Sequence, residues 1–481
     1  MPDNYKFGGG TSGTLLHPIV LVGMILALIL IFVLPRKWLM GPLVFMSFLV
    51  PMGQQIYIAG VHLFVLRVVV LVAFIRALMS KDAGEPLVAN GWNRVDTVCT
   101  VYMVAVAVAT CATFHADTAV LVNQVGYLWD FLLGYVVVRC FIRDEEGLYT
   151  TLKFLAIVTI PLAIGMIIEQ RTMVNVFGLL GGVNTVPDVR EGKIRSQGAF
   201  AHSLMAGAFA ATLMPVLVMF WRKGQSRLFG MIGVLGATVM TWTTNGSTPL
   251  LSYLAGIFAL LCWPIRKSMK KVRWAMVLTL VGLQLVMKAP VWFLIARVDV
   301  TGGSSSYHRA ELVDQFMNHI PDWFFIGVKD PSDWGLDMWD VQNQYVNIGE
   351  AGGIVAFVAF IMVISRSFGM LGDARKAVDG EKDKEWMLWC LGAALFANVV
   401  GFFGVNYFDN SRMWWFILLA MIPAIAEPML RSKQTGQTPV DVGPKKLRRP
   451  WVKARAQELD AKEVTVREAA GKLVPRLRTG S

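Results

Sequence analysis

Ser304 to Ile354 reads SSSYHRAELVDQFMNHIPDWFFIGVKDPSDWGLDMWDVQNQYVNIGEAGGI. The stretch is polar, acidic and aromatic, whereas most of the chain before it is apolar, and it runs without a break into a further apolar segment. A long irregular segment between membrane spans cannot leave its backbone unpaired in hydrocarbon. It is therefore expected at or outside the membrane surface, where loops carry function, and the apolar runs around it are expected to be the spans.

Working outward, the composition agrees: the 481 residues are 55% hydrophobic and only 16% charged, which places the chain among multi-spanning membrane proteins. A bilayer-crossing helix needs about 20 apolar residues. Runs near 18–35, 39–53, 57–79, 95–114, 120–141, 149–168, 199–220, 228–244, 248–264, 273–289, 343–365, 386–404 and 412–428 qualify. The expectation is an all-α fold with thirteen spans, or twelve if the short second piece is re-entrant. Residues 1–16 form a polar segment with no cleavable signal expected, 17–428 the membrane domain, and 429–481 a basic tail. The five cysteines lie in or beside apolar runs with no CxxC spacing and read as small core residues.

Charge assigns the sides. Arg36/Lys37, Arg76/Lys81/Arg94, Arg139/Arg143, Arg222/Lys223/Arg227, Arg266–Arg273 and Arg366–Lys384 alternate with loops poor in Lys and Arg. The positive-inside rule makes these basic loops cytoplasmic, with the N-terminus outside and the C-terminus inside. The tail after Pro428 has thirteen Lys/Arg against five Asp/Glu and supplies eight of the net +12. That is the pattern of contact with anionic lipid, not of nucleic-acid binding. Within it, 436–450 reads as a linker and 451–478 as a short charged surface helix or disorder. Two long outer loops, 169–198 and 290–342, carry Arg171, Arg190, Arg195, Arg297 and Arg309 on the side that normally avoids arginine, which points to an anionic ligand.

Arg67 and Asp130 read as mid-span charges, which must face the bundle interior. They pair as a structural tie or belong to an ion path, and other mid-span acids to extend such a path are lacking. Three constellations carry chemistry. In KIRSQGAFAHSLMAGAF, Arg195 precedes a helix with His202 one turn in, and a guanidinium pairs well with phosphate, although alone it reads as an interfacial arginine. In TWTTNGSTPLLSYLAG, hydroxyls and Asn245 are expected to cap a helix beginning near Pro249. SSSYHRAELVDQFMNHI fits an amphipathic interfacial helix whose apolar side holds Leu312, Val313, Phe316 and Ile320 and whose polar side holds His308, Arg309 and Glu311. After it, Asp330, Asp333, Asp337 and Asp340 interleave with Trp334 and Trp339, aromatic faces beside acids that suit sugar rings. No EF-hand order or His/Cys cluster is present. QNQYVNIGEAGGIVAF then brings Gln342, Asn343, Tyr345, Asn347 and Glu350 to a helix mouth that should face a cavity.

An arginine at an outer loop-to-span junction, a large outer loop with a second arginine, and a closing Asn-x-Tyr…Glu-x-Gly-Gly helix entry together resemble the O-antigen ligase and Wzy-type polysaccharide polymerase superfamily over roughly residues 57–428. The resemblance implies an inverting glycosyltransferase of the bacterial inner membrane, without metal or organic cofactor. Its substrate would be an undecaprenyl-pyrophosphate-linked glycan at the periplasmic face. Its partners would be an acceptor glycan and the chain-length or export proteins of polysaccharide secretion. Arg195 and Arg309 would hold the pyrophosphate, and His202, Glu311, Gln342, Asn343, Tyr345 and Asn347 would line the substrate site. The family's His-Asn pair is Gln342-Asn343 here, and the spacing from there to Glu350 and Gly353 is about one residue short. Glutamine is no general base, so His308, Asp340 and Glu350 stand as candidates, and the departure points to a polymerase sooner than a ligase. A lipid-linked sugar transporter would need matched broken helices in two halves, and a secretion scaffold would depend on the basic tail.

Overall fold

The computed structural model describes residues 13–58, 61–80, 86–222, 224–297 and 306–435. The chain opens with α1 (Pro18–Val33) and α2 (Met40–Leu49), then a hairpin of β1 (Gln55–Ile58) and β2 (Val61–Phe64). α3 (Val65–Met79), α4 (Arg94–Thr113), α5 (Thr118–Tyr127), α6 (Gly134–Phe141) and α7 (Glu145–Thr172) follow. A second hairpin, β3 (Asp188–Arg190) with β4 (Lys193–Arg195), leads to α8 (Ser203–Leu217), α9 (Arg227–Thr243), α10 (Ser247–Leu261) and α11 (Met269–Val286). The last group is α12 (Ser306–Asn318), α13 (Ile320–Trp323), α14 (Gln344–Ala377), α15 (Lys382–Gly401) and α16 (Asp409–Thr435).

The all-α membrane class holds, but the count of thirteen spans does not. Among the described residues six helical stretches are long and apolar enough to cross a bilayer: Arg94–Thr113, Thr118–Phe141, Glu145–Thr172, Ser203–Arg222, Gln344–Ala377 and Asn410–Lys433. A seventh is reached if Ser247–Leu261 and Trp263–Val286, bent by 75°, are one broken span. The shortfall is one of length and charge. α1, α2, α3, α9 and α10 have 16, 10, 15, 17 and 15 residues, where about 20 are needed at 1.5 Å per residue. α15 spends its first turn on Lys382, Asp383, Lys384 and Glu385. The apolar run at 57–79 contains β-branched and aromatic residues that pair as a hairpin, Ile56 with Leu63 and Tyr57 with His62, and helix begins only at Val65. At the other end α16 runs through Pro428 to Thr435, past the boundary expected at 428. The 1–12 part of the polar N-terminal segment, and the linker and surface helix expected over 436–478, lie outside the described residues.

α8 and α16 form the centre. Small residues Ala206, Gly207, Ala208, Ala210 and Ala211 are fully or almost fully buried on α8, which lets neighbouring backbones approach closely, the main source of helix association in lipid. Trp414 of α16 stands edge-on to Phe209 at 6.0 Å and donates to Thr212 Oγ1 at 2.9 Å.

Among the described residues two ion pairs are buried on both sides in the bundle. Arg67 Nε donates to both Asp130 oxygens at 3.1 Å, and its Nη1 donates to the His62 carbonyl. Arg67 lies in the first turn of α3, not mid-span, while Asp130 occupies a π-helical turn, Leu128–Leu133, between α5 and α6. Arg139, read from sequence as a cytoplasmic-loop charge, is fully buried against Asp96 at 2.9 Å, with the Tyr135 hydroxyl on the same carboxylate at 2.6 Å.

Candidate functional site

The segment before α8 is held by a buried carboxylate. Glu169, in the last turn of α7, accepts from the backbone N–H of Gln197 at 3.0 Å and of Gly198 at 2.9 Å. Gly198 has φ +60°, and a Cβ there would press on Met166 Cγ at 3.2 Å, so only glycine takes this turn without strain. Ser196 N–H donates to the Thr243 carbonyl at 3.2 Å, and Asn245 Nδ2 to the Ile194 carbonyl at 2.7 Å. Asn245 therefore ties the α9–α10 turn to β4. It does not cap α10, whose N-cap is Gly246, without a side-chain cap.

Arg195, so placed, is 7% exposed. Its acid partner is Asp188, opposite it in the β3–β4 register, at 3.6 Å. Its Nε has no hydrogen-bond partner among the described residues. Burial pulls the Arg195 pKa below its usual value, and Asp188 opposes that shift. His202 is the N-cap of α8 itself, not a residue one turn inside it: Nδ1 accepts from Leu204 N–H at 3.1 Å. That bond leaves the ring proton on Nε2. Burial and then the charge on Arg195 push the His202 pKa down, so the ring is a neutral donor, and Asp340 lies within electrostatic reach of it.

α12 forms where amphipathic spacing placed a helix, but its inward face differs from expectation. Arg309 is buried with Leu312 and Phe316 at i, i+3 and i+7. Its Nε lies where a Cβ on Gly404 would come within 3.3 Å, and the Gly404 carbonyl accepts from Thr248 Oγ1 in the first turn of α10 at 3.3 Å. The turn before α10 thus contacts the Arg195 segment, while its first turn reaches the Gly404 carbonyl beside Arg309. Of the five outer-loop arginines only these two are buried; Arg171, Arg190 and Arg297 are exposed.

His308 Nε2 meets the Asp340 backbone carbonyl at 3.3 Å, and Gln342 Nε2 donates to Asp340 Oδ2 at 2.6 Å. Asn343 is committed to the fold: it caps α14 by accepting from Tyr345 and Val346 N–H, and its Nδ2 donates to the Phe403 carbonyl. Tyr345 likewise anchors α14, donating to the Val399 carbonyl at 3.0 Å. Glu311 and Asn347 are half-buried.

Glu350 lies about 10 Å along α14 from Asn343 at helical rise. It is buried, and its Oε1 has no hydrogen-bond partner among the described residues. It adjoins a break in α14 at Gly353 (φ 63°, ψ −166°), where Glu350 O accepts from Val328 N–H and Ile354 N–H donates to Phe324 O.

The structure therefore links Arg195, His202, Asp340, His308 and Gln342 in one polar neighbourhood and places Arg309 one residue from His308. Glu350 belongs to the helix break, and Arg67 with Asp130 to the bundle packing. Glu169 escaped the sequence reading, and Thr248, read there as one of the capping hydroxyls, instead donates to the Gly404 carbonyl: an acid at a helix end and a threonine near a helix start carry no local signal of what they touch. Among the described residues no group of three His, Cys, Asp or Glu converges as a metal site. No protein-family model and no curated protein matches this chain.

Proposed function

We propose that this chain is a membrane glycosyltransferase that joins lipid-pyrophosphate-linked oligosaccharide repeats into a polysaccharide at the periplasmic face of a bacterial inner membrane. The observation that carries the reading is the pair of buried guanidiniums, Arg195 with an unused Nε and Arg309, on segments that meet α10 near its start. Guanidiniums in a water-poor site match pyrophosphate oxygens two at a time. Charge building on a departing pyrophosphate would be stabilised there with little reorganisation, an effect often the largest in catalysis. The acceptor hydroxyl would attack the anomeric carbon with inversion, and the pyrophosphate would leave toward the arginines.

The test is polysaccharide profiling of a deletion strain complemented with Arg195→Ala, Arg309→Ala or a truncation after Thr435. The expected outcome is loss of polymer for either arginine variant at normal membrane levels, with single repeats accumulating on lipid. Accumulation of full-length lipid-linked polymer would make the enzyme a ligase that transfers finished glycan. Full complementation by both arginine variants, with failure of the truncation alone, would replace catalysis with a scaffold role for the basic tail and its lipid or protein contacts.

A further inference from the structure

We infer that Asp340 is the base for the acceptor hydroxyl, that Gln342 positions it, and that the exposed rings of Trp339 and Tyr307 form the platform for the acceptor sugar. The inference rests on the glycosyl-transfer reading above.

Two sets of contacts and one electrostatic coupling carry it. Asp340 is half-buried and its Oδ2 takes a 2.6 Å hydrogen bond from the neutral Gln342 amide. Among the described residues no Lys or Arg forms an ion pair with it. A neutral donor orients a carboxylate without cancelling its charge, and leaves lone pairs open for an incoming hydroxyl. The backbone is fixed as well: Asp340 N–H closes a turn onto the Asp337 carbonyl at 3.0 Å, and the Asp340 carbonyl meets His308. The α12 turn that carries Arg309 thus contacts the segment that carries the base. On the other side His202, the neighbour of Arg195 in charge and space, lies within reach of the Asp340 charge. The acid is therefore held against the Arg309-bearing segment by the His308 contact and within electrostatic reach of the Arg195-bearing one. From that position it can serve an acceptor that meets a donor whose leaving group the arginines hold.

The aromatic residues point to the ligand class. Trp334 is buried and stacked on His319 at 4.9 Å with rings 10° apart, so its role is packing. Trp339 and Tyr307, next in sequence to Asp340 and His308, are 59% and 65% exposed. Flat exposed rings on the two segments that carry Asp340 and His308 suit the apolar face of a sugar, and the carboxylate suits its hydroxyl rim. In the step itself the acceptor O–H proton passes to Asp340 and the oxygen forms the bond to the anomeric carbon. The bond from that carbon to the phosphate oxygen breaks, with its electron pair leaving on the pyrophosphate. Asp340 then returns its proton to water.

The experiment uses the full-length protein in nanodiscs, with lipid-linked repeats extracted from the deletion strain as donor and the delipidated repeat as acceptor. Asp340→Asn is expected to lower turnover by about 10²-fold or more with donor binding retained. Gln342→Ala should lower kcat about 10-fold, as expected when a hydrogen-bond partner that orients a reactive group is lost, with KM little changed. Gln342→His, which keeps a ring N–H, should restore much of that loss. Trp339→Ala should raise the acceptor KM and spare the donor KM. Full turnover by Asp340→Asn, with Arg195→Ala and Arg309→Ala dead, overturns the assignment of the base and leaves the glycosyl-transfer reading intact. Full turnover by all three overturns the roles given to Asp340 and to both arginines, and absence of turnover by the native protein overturns the glycosyl-transfer reading itself. If Asp340→Asn does not insert into membranes, Gln342→Ala decides: unchanged kcat, or a loss that Gln342→His does not restore, overturns the inference.

Discussion

His202 shows how one side chain joins fold and site. Its ring nitrogen serves as the N-cap of α8, a role Ser, Thr, Asp or Asn usually fills, and it does so only while Nδ1 is unprotonated. Burial and Arg195 hold its folded-state pKa below the ordinary value near 6.5. The unfolded chain therefore binds the proton first as pH falls. Stability is complete above about pH 6.5, declines as pH falls from there through the depressed folded value, and levels off once both states hold the proton. Thermal unfolding in detergent is expected to weaken more between pH 7.5 and 5.5 for the native protein than for His202→Asn, which keeps a cap and does not titrate. Equal slopes for the two would remove His202 from the acid sensitivity. The residue types at this scale were legible in the sequence: Arg195, Arg309 and Asp340 were all singled out from it. Their partners were not, because a hydrogen bond such as Gln342 to Asp340 or Leu204 N–H to His202 depends on a backbone turn, not on residue type.

At the scale of elements, the β3–β4 hairpin and the segment up to α8 hold Arg195 through backbone donors gathered on Glu169. Removing that carboxylate leaves the buried N–H groups of Gln197 and Gly198 without their acceptor, at about 1–3 kcal/mol each. Glu169→Ala is therefore expected to lower melting temperature and glycan turnover together. Glu169→Gln, which keeps one accepting oxygen, should recover part of both. A Glu169→Ala variant with native turnover would show that Arg195 needs no such support. α12 illustrates how far periodicity carries: a helix was expected there, and Leu312 and Phe316 do face inward, yet Arg309 was assigned to the wet side. A charged residue reads as exposed in any amphipathic pattern, and only packing against Gly404 places it inside.

On the scale of the whole molecule, α14 provides the ruler. Its 34 residues extend about 51 Å at helical rise, even allowing some loss at the Gly353 break, well beyond the roughly 30 Å of a hydrocarbon core. The mouth at Asn343 and the basic turn near Gly380 then belong on opposite sides. With the positive-inside rule the proposed orientation would put Asp337 outside and Gly380 in the cytoplasm. A cysteine at Asp337, in a chain whose native cysteines are replaced, is expected to react with an impermeant maleimide in intact spheroplasts. One at Gly380 should react only after permeabilisation. The reverse pattern would invert the proposed location of the site.

The sequence by itself determined the class and the region of interest: apolar composition demands helix in lipid, and a polar, aromatic stretch inside such a chain must lie where water is. Tertiary structure alone decided how many of the described helices are long enough to cross, that Gln55–Ile58 and Val61–Phe64 pair as strands, and that Arg139 and Arg67 are locked to Asp96 and Asp130. The reason is physical. Composition is additive along the chain and can be read locally, whereas burial and hydrogen-bond pairing depend on which segments meet, and those meet across tens to hundreds of residues.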